Sequence, residues 1–288
     1  MNYHSPVLLK ETISSLSIIP NGVYIDATLG HGGHTIEILK QNATVYGFDQ
    51  DSKNIEIATQ RINSEKLEKK FFAINQNFIN IKSFLKKQKI NKIDGLIADL
   101  GLSQNQQTGQ DRGFSFNDPL SLDMRLNPKT QTLSAENIIN TWDKDQLYEI
   151  FTKYAQEKLA KPLIYEIIQA RQIHPIKTAL ELSHIIENYY HKKNYSTYHH
   201  PATKIFLALR IAVNHELDNL KKILTASLKI TKPGARVAII SFHSGEDRIT
   251  KQFIVKNHLV TQKFIPKHVE VKKNPLSRSA ILRFYKIT

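Results

Sequence analysis

Three glycines within four positions, Gly30, Gly32 and Gly33, constrain this chain more than any other feature. The run before them, Val23-Tyr24-Ile25-Asp26-Ala27-Thr28-Leu29, opens with alternating β-formers, as a buried strand does. The run after them, Thr35-Ile36-Glu37-Ile38-Leu39-Lys40, spaces its apolar residues as a helix does. Strand, glycine turn and helix make the first half of a nucleotide-cradling βαβ unit. Glycines let the backbone approach a ligand there, and the start of a helix offers free N–H groups.

The pattern then repeats. A helix over 7–19 and a Pro20-Asn21-Gly22 turn lead into the first strand, 23–27, and a helix over 34–41 follows the glycines. Ala43-Thr44-Val45-Tyr46-Gly47-Phe48-Asp49 reads as the second strand, with Asp49 where dinucleotide and related folds place the carboxylate for ribose hydroxyls. Asp51 suits the cap of a helix over 52–63. A third strand, 71–74, an amphipathic helix to Lys89 and a fourth strand, 93–100, complete a β-α-β-α-β-α-β order, which predicts a parallel α/β sheet.

From Gly101 to Leu126 the chain is polar, and long loops beside strand tips are usually functional. Helices alone are expected from Ser134 to Tyr190, one opened by Ser134 with Asn137 and others over 143–154, 156–173 and 178–190. The stretch 189–201 is basic and aromatic-rich, with Tyr189, Tyr190, Tyr195 and Tyr198 suited either to base stacking or to packing on the helices. One long helix is expected over 202–229, a turn at Pro233-Gly234 and a fifth strand over 235–241. A helix over 244–256 and a closing antiparallel hairpin, 259–265 with 280–287, end the chain. The expected organisation is a discontinuous catalytic domain, 1–108 with 206–288, holding a mainly helical insertion, 109–205.

The absence of cysteine excludes disulfides, thiolate metal sites and a cysteine nucleophile. No apolar run matches a bilayer in length, and Met1-Asn2-Tyr3-His4-Ser5-Pro6 lacks the pattern of a secretory signal, so a cytoplasmic protein without membrane contact is expected. The net charge of +14 comes from 40 Lys and Arg against 26 Asp and Glu. It points to a polyanionic partner, with a Lys- and Asn-rich composition bias as the alternative. The His31-x-x-His34 spacing falls in a turn with no acid-bearing helix after it, so no metal is expected.

A nicotinamide dehydrogenase would place glycine where this chain has Thr35, and no P-loop lysine follows the turn. The acid-x-x-x-Gly-x-Gly run from Asp26 resembles motif I of S-adenosylmethionine-dependent methyltransferases. The resemblance tightens along the chain, through His4-Ser5-Pro6-Val7-Leu8-Leu9-Lys10-Glu11, Phe48-Asp49-Gln50-Asp51 and the run from Asp94 to Ser103. It continues through Asp111-Arg112-Gly113-Phe114-Ser115-Phe116, Leu122-Asp123-Met124-Arg125, His200-Pro201-Ala202-Thr203 and Ala208-Leu209-Arg210-Ile211. Ser241-Phe242-His243-Ser244 with Glu246-Asp247-Arg248, Asn274-Pro275 and Ser277-Arg278-Ser279-Ala280 close it. In this order the blocks resemble the bacterial small-subunit ribosomal RNA cytosine-N4 methyltransferase family.

That resemblance implies a Rossmann-like class I sheet with an inserted all-helical substrate domain. It implies S-adenosylmethionine as cofactor, bound by Gly32, Gly33, His34, Asp49, Phe78, Asp99 and Gln106. Gln106 follows Ser103-Gln104-Asn105, where the family has Ser-Ser-Pro. The implied reaction is N4-methylation of a cytosine near the decoding centre, with small-subunit ribosomal RNA or the small ribosomal subunit as partner and a homodimer left open. Asp99 would either accept the amine proton or hold the cofactor's ammonium. Asp123 and His243 are further catalytic candidates, and Arg112, Arg125, Lys204, Arg210 and Arg278 are candidate phosphate contacts. The rivals are a methyltransferase on another nucleic acid and a non-catalytic RNA-binding relative.

Overall fold

The computed structural model describes residues 6–108, 111–195 and 200–288. His4 and Ser5 of the first family block, and Ser196 to His199 of the aromatic loop, lie outside the described residues. The chain forms two compact units, one from 1–103 with 217–288 and one from 104–216.

The first unit begins with α1 (Leu9–Leu16), β1 (Val23–Asp26), α2 (Gly33–Leu39), β2 (Thr44–Phe48) and α3 (Ser52–Ser64). It continues through β3 (Phe71–Ile74), α4 (Ile81–Lys87) and β4 (Ile93–Asp99). The second unit holds α5 (Gln104–Thr108), α6 (Ala135–Thr141), α7 (Lys144–Lys153), α8 (Ala160–Ile173), α9 (Ala179–Lys192) and α10 (Thr203–Asn214). Then come α11 (Glu216–Ile230), β5 (Thr231–Ser241), α12 (Ser244–Lys256), β6 (Thr261–Phe264), α13 (His268–Lys273) and β7 (Ile281–Lys286).

The sheet runs β3-β2-β1-β4-β5-β7-β6, parallel from β3 to β5 and antiparallel at β7. This is a Rossmann-like α/β sheet, as the resemblance implies. Its strands are apolar on both faces because helices cover both. Tyr24, Ile97, Ala238 and Ile240 enter one core, while Ile25, Leu96, Val237 and Ile239 enter the other. That is the two-residue alternation of a strand. The helical unit has its own core, with Phe151, Leu163, Ile167, Leu182, Ile186 and Leu209 fully buried. Capping boxes start α6 at Ser134, α7 at Asp143 and α9 at Thr178. No helix of the described residues is long and apolar enough to cross a membrane.

Several expected elements differ. The long helix over 202–229 is two helices, because His215 takes a left-handed backbone (φ 52) that ends α10. The helical unit accordingly keeps α10, whose Ile205, Phe206, Ala208, Leu209 and Val213 lie in its core, and the chain leaves that unit after Glu216 rather than at 205. Its other junction precedes α5, a short helix within the stretch read as loop. Pro233-Gly234 lies within β5, beside an irregularity of register between Ile93 and Gly95. The last two strands pair antiparallel, but α13 and a 3-10 turn separate them, and β7 sits between β5 and β6. Tyr189 and Tyr190 are buried in the last turns of α9, so neither is a free stacking platform.

Candidate cofactor site

After β1 the chain moves outward through β2 to β3, then returns to β4 on the other side of β1. Open parallel sheets bind ligands at such a reversal, outside the carboxyl ends of the strands. Here Asp26, Asp49 and Asp99 stand at or just beyond the tips of β1, β2 and β4.

Asp26 is buried and organises the turn from below. Its Oδ1 accepts the Thr28 N–H at 3.1 Å, and its Oδ2 accepts the Thr35 hydroxyl at 2.7 Å. Burial pushes its carboxyl up to about 6 against both bonds. The glycines have separate tasks. Gly32 holds a left-handed backbone (φ 74), which only glycine takes freely. A Cβ on Gly33 would lie 2.2 Å from Pro6 Cγ, so an N-terminal strap of the chain fills that space. A Cβ on Gly30 would meet nothing nearer than the Thr28 oxygen at 3.9 Å, so the turn's open side is at Gly30. The family resemblance implies cofactor contacts from Gly32 and Gly33 and names none from Gly30, the first glycine of the motif.

Asp49 anchors the turn to β2. Its Oδ2 accepts the Gly30 N–H at 2.9 Å and the Asn54 side-chain amide at 3.0 Å, and its Oδ1 accepts the Asp51 N–H at 2.9 Å. A carboxylate has about four acceptor positions, so the open one is on Oδ1. One hydroxyl fits there directly; taking two would displace a protein donor. Burial pushes Asp49 up to about 7, opposing those three bonds. Asp51 caps α3 by accepting the Lys53 N–H. Phe78 sits in a 3-10 turn after β3, half-buried against the core.

Asp99 donates its backbone N–H to Thr28 Oγ1 at 2.6 Å, which ties β4 to the turn. Its Oδ1 is buried with no hydrogen-bond partner among the described residues. Its Oδ2 lies 3.7 Å from His34 Nδ1. Burial, reinforced by the negative charges of Asp26 and Glu246, pushes its carboxyl up to about 8. His34 is buried, and burial lowers its imidazole to about 4 despite the bond to the Val7 carbonyl, so it is neutral. A buried acceptor without a donor beside it calls for a cationic or N–H-bearing ligand.

At the tip of β5, the Glu246 carboxylate accepts the Phe242 and His243 N–H groups at 2.8 and 3.3 Å and closes the start of α12. His243 Nε2 lies 3.3 Å from Glu246 Oε1, buried and poorly aligned for a bond. Glu246 and Thr28 fall within stretches quoted for the resemblance, but neither was singled out as a site residue.

All but one of the remaining candidates belong to the helical unit. Gln106 is buried on α5. Both Asp123 oxygens are taken by the Arg125 guanidinium, at 2.6 and 2.7 Å. Arg112 donates to the Arg125 and Leu126 carbonyls, and Arg210 grips Glu216 with two bonds of 2.9 and 3.0 Å. These guanidinium groups hold the unit together rather than standing free for phosphate. Lys204 is exposed beside Glu157, and Arg278 is exposed on the first unit. An organiser missed from sequence is Asp118. Burial alone would raise it, but backbone N–H groups of Gly113, Leu120, Asp111 and Arg112 outweigh that and hold it below the usual carboxylate range.

Three raised carboxyls in one site have a consequence for stability. Each has a folded value above its unfolded one, so its stabilising protonation is complete below about pH 4 and is lost as pH rises through the folded value. The ligand-free protein should therefore melt at falling temperature as pH rises through about 6, 7 and 8. Asp99→Asn should flatten the part of that fall above pH 7. Melting curves across pH 5–9 for both proteins test this, and an unchanged slope in the variant would refute the assignment.

Residues 1–288 match the MraW methylase family. A ribosomal RNA small subunit methyltransferase H of Halothermothrix orenii is 40% identical over 97% of this chain and 97% of its own length. A protein of the same name from Mycoplasmopsis pulmonis is 41% identical over 99% of each chain. The fold is similar to the crystal structure of a provisionally assigned rRNA methylase from Clostridium thermocellum, with a TM-score of 0.50 and 11% identity over 99% of both chains. Matched along its whole length, and folded into the sheet such enzymes use, the chain belongs to the MraW methylase family of S-adenosylmethionine-dependent methyltransferases.

Proposed function

We propose that the protein methylates the exocyclic N4 amine of a cytosine in small-subunit ribosomal RNA, near the decoding centre, in the cytoplasm. The relatives' names support the RNA class, and the residue blocks quoted above support the base. The observation that carries the reading is Asp99. Its buried, partnerless Oδ1 beside the glycine turn suits the cationic amino-acid end of S-adenosylmethionine. The open acceptor position on Asp49 suits a ribose hydroxyl, and half-buried Phe78 offers an apolar surface to adenine.

When bound, the cofactor supplies an electrophilic methyl on a cationic sulfur. The protein's part is placement, since bringing the reacting atoms to about 3–3.5 Å supplies much of the rate. Asp99 and Asp49 fix the two polar ends, and the glycine turn passes between them. Asp123, held at both oxygens by Arg125, orients its loop. His243 and Asp99 are the polar groups left for the amine's departing proton. The target base leaves its stack to reach the site.

The helical unit is the RNA-recognition element in this reading. Lys204→Ala should weaken RNA binding, lower the salt slope by about 1, and cost little in melting temperature. Arg125→Ala should instead lower the melting temperature. Filter binding across salt and thermal melts separate the two, and equal melting losses in both variants would refute the division.

The direct test is methyl transfer from labelled cofactor to small ribosomal subunits lacking the modification, followed by nucleoside mass spectrometry. N4-methylcytidine is expected. Label entering DNA instead, or no label in RNA, overturns the proposal.

A further inference from the structure

The peptide unit between Val7 and Leu8 is gripped on both of its polar atoms. The Val7 carbonyl lies 3.1 Å from His34 Nε2, and the Leu8 N–H donates to Glu270 Oε1 at 2.7 Å. Glu270 lies on α13, far along the chain from the glycine turn. Leu8 is fully buried and held in a left-handed backbone (φ 50), and Pro6 fills the space over Gly33. The strap 6–8 is thus clamped between the turn and the C-terminal helix.

This clamp decides where the His34 proton sits. A carbonyl oxygen only accepts, so Nε2 carries the hydrogen. Nδ1 is then a bare lone pair, and it is the atom 3.7 Å from Asp99 Oδ2. We propose that the Val7–Leu8 peptide, held from its far side by Glu270, locks His34 in the Nε2–H tautomer. The lock denies Asp99 a histidine donor and reserves its negative charge for the cationic end of the cofactor. Glu270 is then a positioning residue for cofactor binding, acting through a peptide bond and an imidazole. This rests on the reading that Asp99 meets that cationic end.

The chemistry is consistent around the pair. Asp26 from the tip of β1 and Glu246 from α12 both act on Asp99 and disfavour its charge, as its burial does. An Nδ1–H from His34 would act against all three and favour the ionised form of Asp99 before any ligand arrived. With Nδ1 bare, the carboxyl keeps its proton in the ligand-free protein near neutral pH and releases it as the cation binds. Partners that fix an imidazole tautomer from outside a binding site act in this way on ligating histidines.

The experiment uses the full chain with S-adenosylmethionine as probe. Nitrogen-15 NMR of His34 reports the tautomer, and calorimetry in buffers of different ionisation enthalpy reports affinity and protons released across pH 6–9. The wild type should show Nε2–H alone and release of a proton near pH 7. Glu270→Ala should admit the Nδ1–H tautomer, move the pH midpoint of binding downward, reduce proton release, and weaken binding above pH 8 by about tenfold, the lower end for loss of such a partner. Glu270→Gln keeps an acceptor for the Leu8 N–H and should restore the wild-type pattern. If Glu270→Ala keeps the wild-type tautomer and pH profile, the proposal is overturned. If Ala and Gln fail alike, the charge of Glu270 and not its grip is responsible, and the lock is again overturned. Asp99→Asn tests the underlying reading separately. Unchanged binding there removes the cofactor assignment, while the tautomer signal still decides the lock.

Discussion

Asp99→Asn is expected to weaken S-adenosylmethionine binding by roughly 30- to 150-fold at pH 8.5, equivalent to about 2–3 kcal/mol for a charge-assisted hydrogen bond. The pH dependence gives this its signature. The ligand-free carboxyl is pushed up to about 8 by burial and by its acidic neighbours. A bound cation favours the ionised form, so wild-type affinity should climb as pH rises towards 8 and level off above it. The Asn variant should bind weakly and almost independently of pH over the same range. Turnover separates the two roles open to Asp99. If it only holds the cofactor, turnover at saturating cofactor survives; if it also accepts the amine proton, turnover falls with affinity. Equal affinity of both proteins at pH 8.5 would remove Asp99 from the site.

Asn214→Leu should be among the most destabilising single changes in the helical unit, at about 3–5 kcal/mol. Asn214 is buried at the end of α10. Its oxygen accepts the Leu126 N–H and the Gln131 side-chain amide, both at 3.0 Å. Its amide donates to the Met124 carbonyl at 2.8 Å and the Arg210 carbonyl at 3.0 Å. Leucine has similar bulk but strands the Leu126 and Met124 backbone groups, and each buried group left unpaired costs about 1–3 kcal/mol. Asn214→Asp keeps the acceptor and loses the donor, so it should fall between. Urea unfolding of the three proteins tests the order, and a leucine variant as stable as the wild type would refute the hub.

The strands β1 to β4 were legible in the sequence because alternation and turn residues are local signals. The acids at their tips followed from where each strand ends, and the Ser134 and Asp51 caps from side chains that bond two or three residues ahead. The break at His215 was not legible, since neither glycine nor proline marks it. The roles of Arg112, Arg125 and Arg210 were hidden for a related reason. An arginine reads as a surface cation until its partners are known, and a carbonyl has no sequence signature. Tyr189 and Tyr190 read both as the end of a helix and as the start of the aromatic stretch; the helix continues past both to Lys192, and they pack on it. Pro233-Gly234 resembled a turn because both residues usually punctuate, whereas here the strand absorbs them.

The neighbours β4 and β5, paired from Asp99–Ile240 back to Ile93–Thr231, are separated in the chain by the whole of Gln104–Glu216. During synthesis, β4 emerges with one edge bare and waits for its partner until the intervening residues have been made. A parallel edge left open is prone to pair with another chain. Helices form from local contacts, so the insertion can condense while the edge is still waiting, which shortens the loop that remains to be closed. A condensed insertion thus leaves the edge open over a shorter span of chain. Variants that slow its condensation should raise aggregation during refolding even where the finished protein is stable.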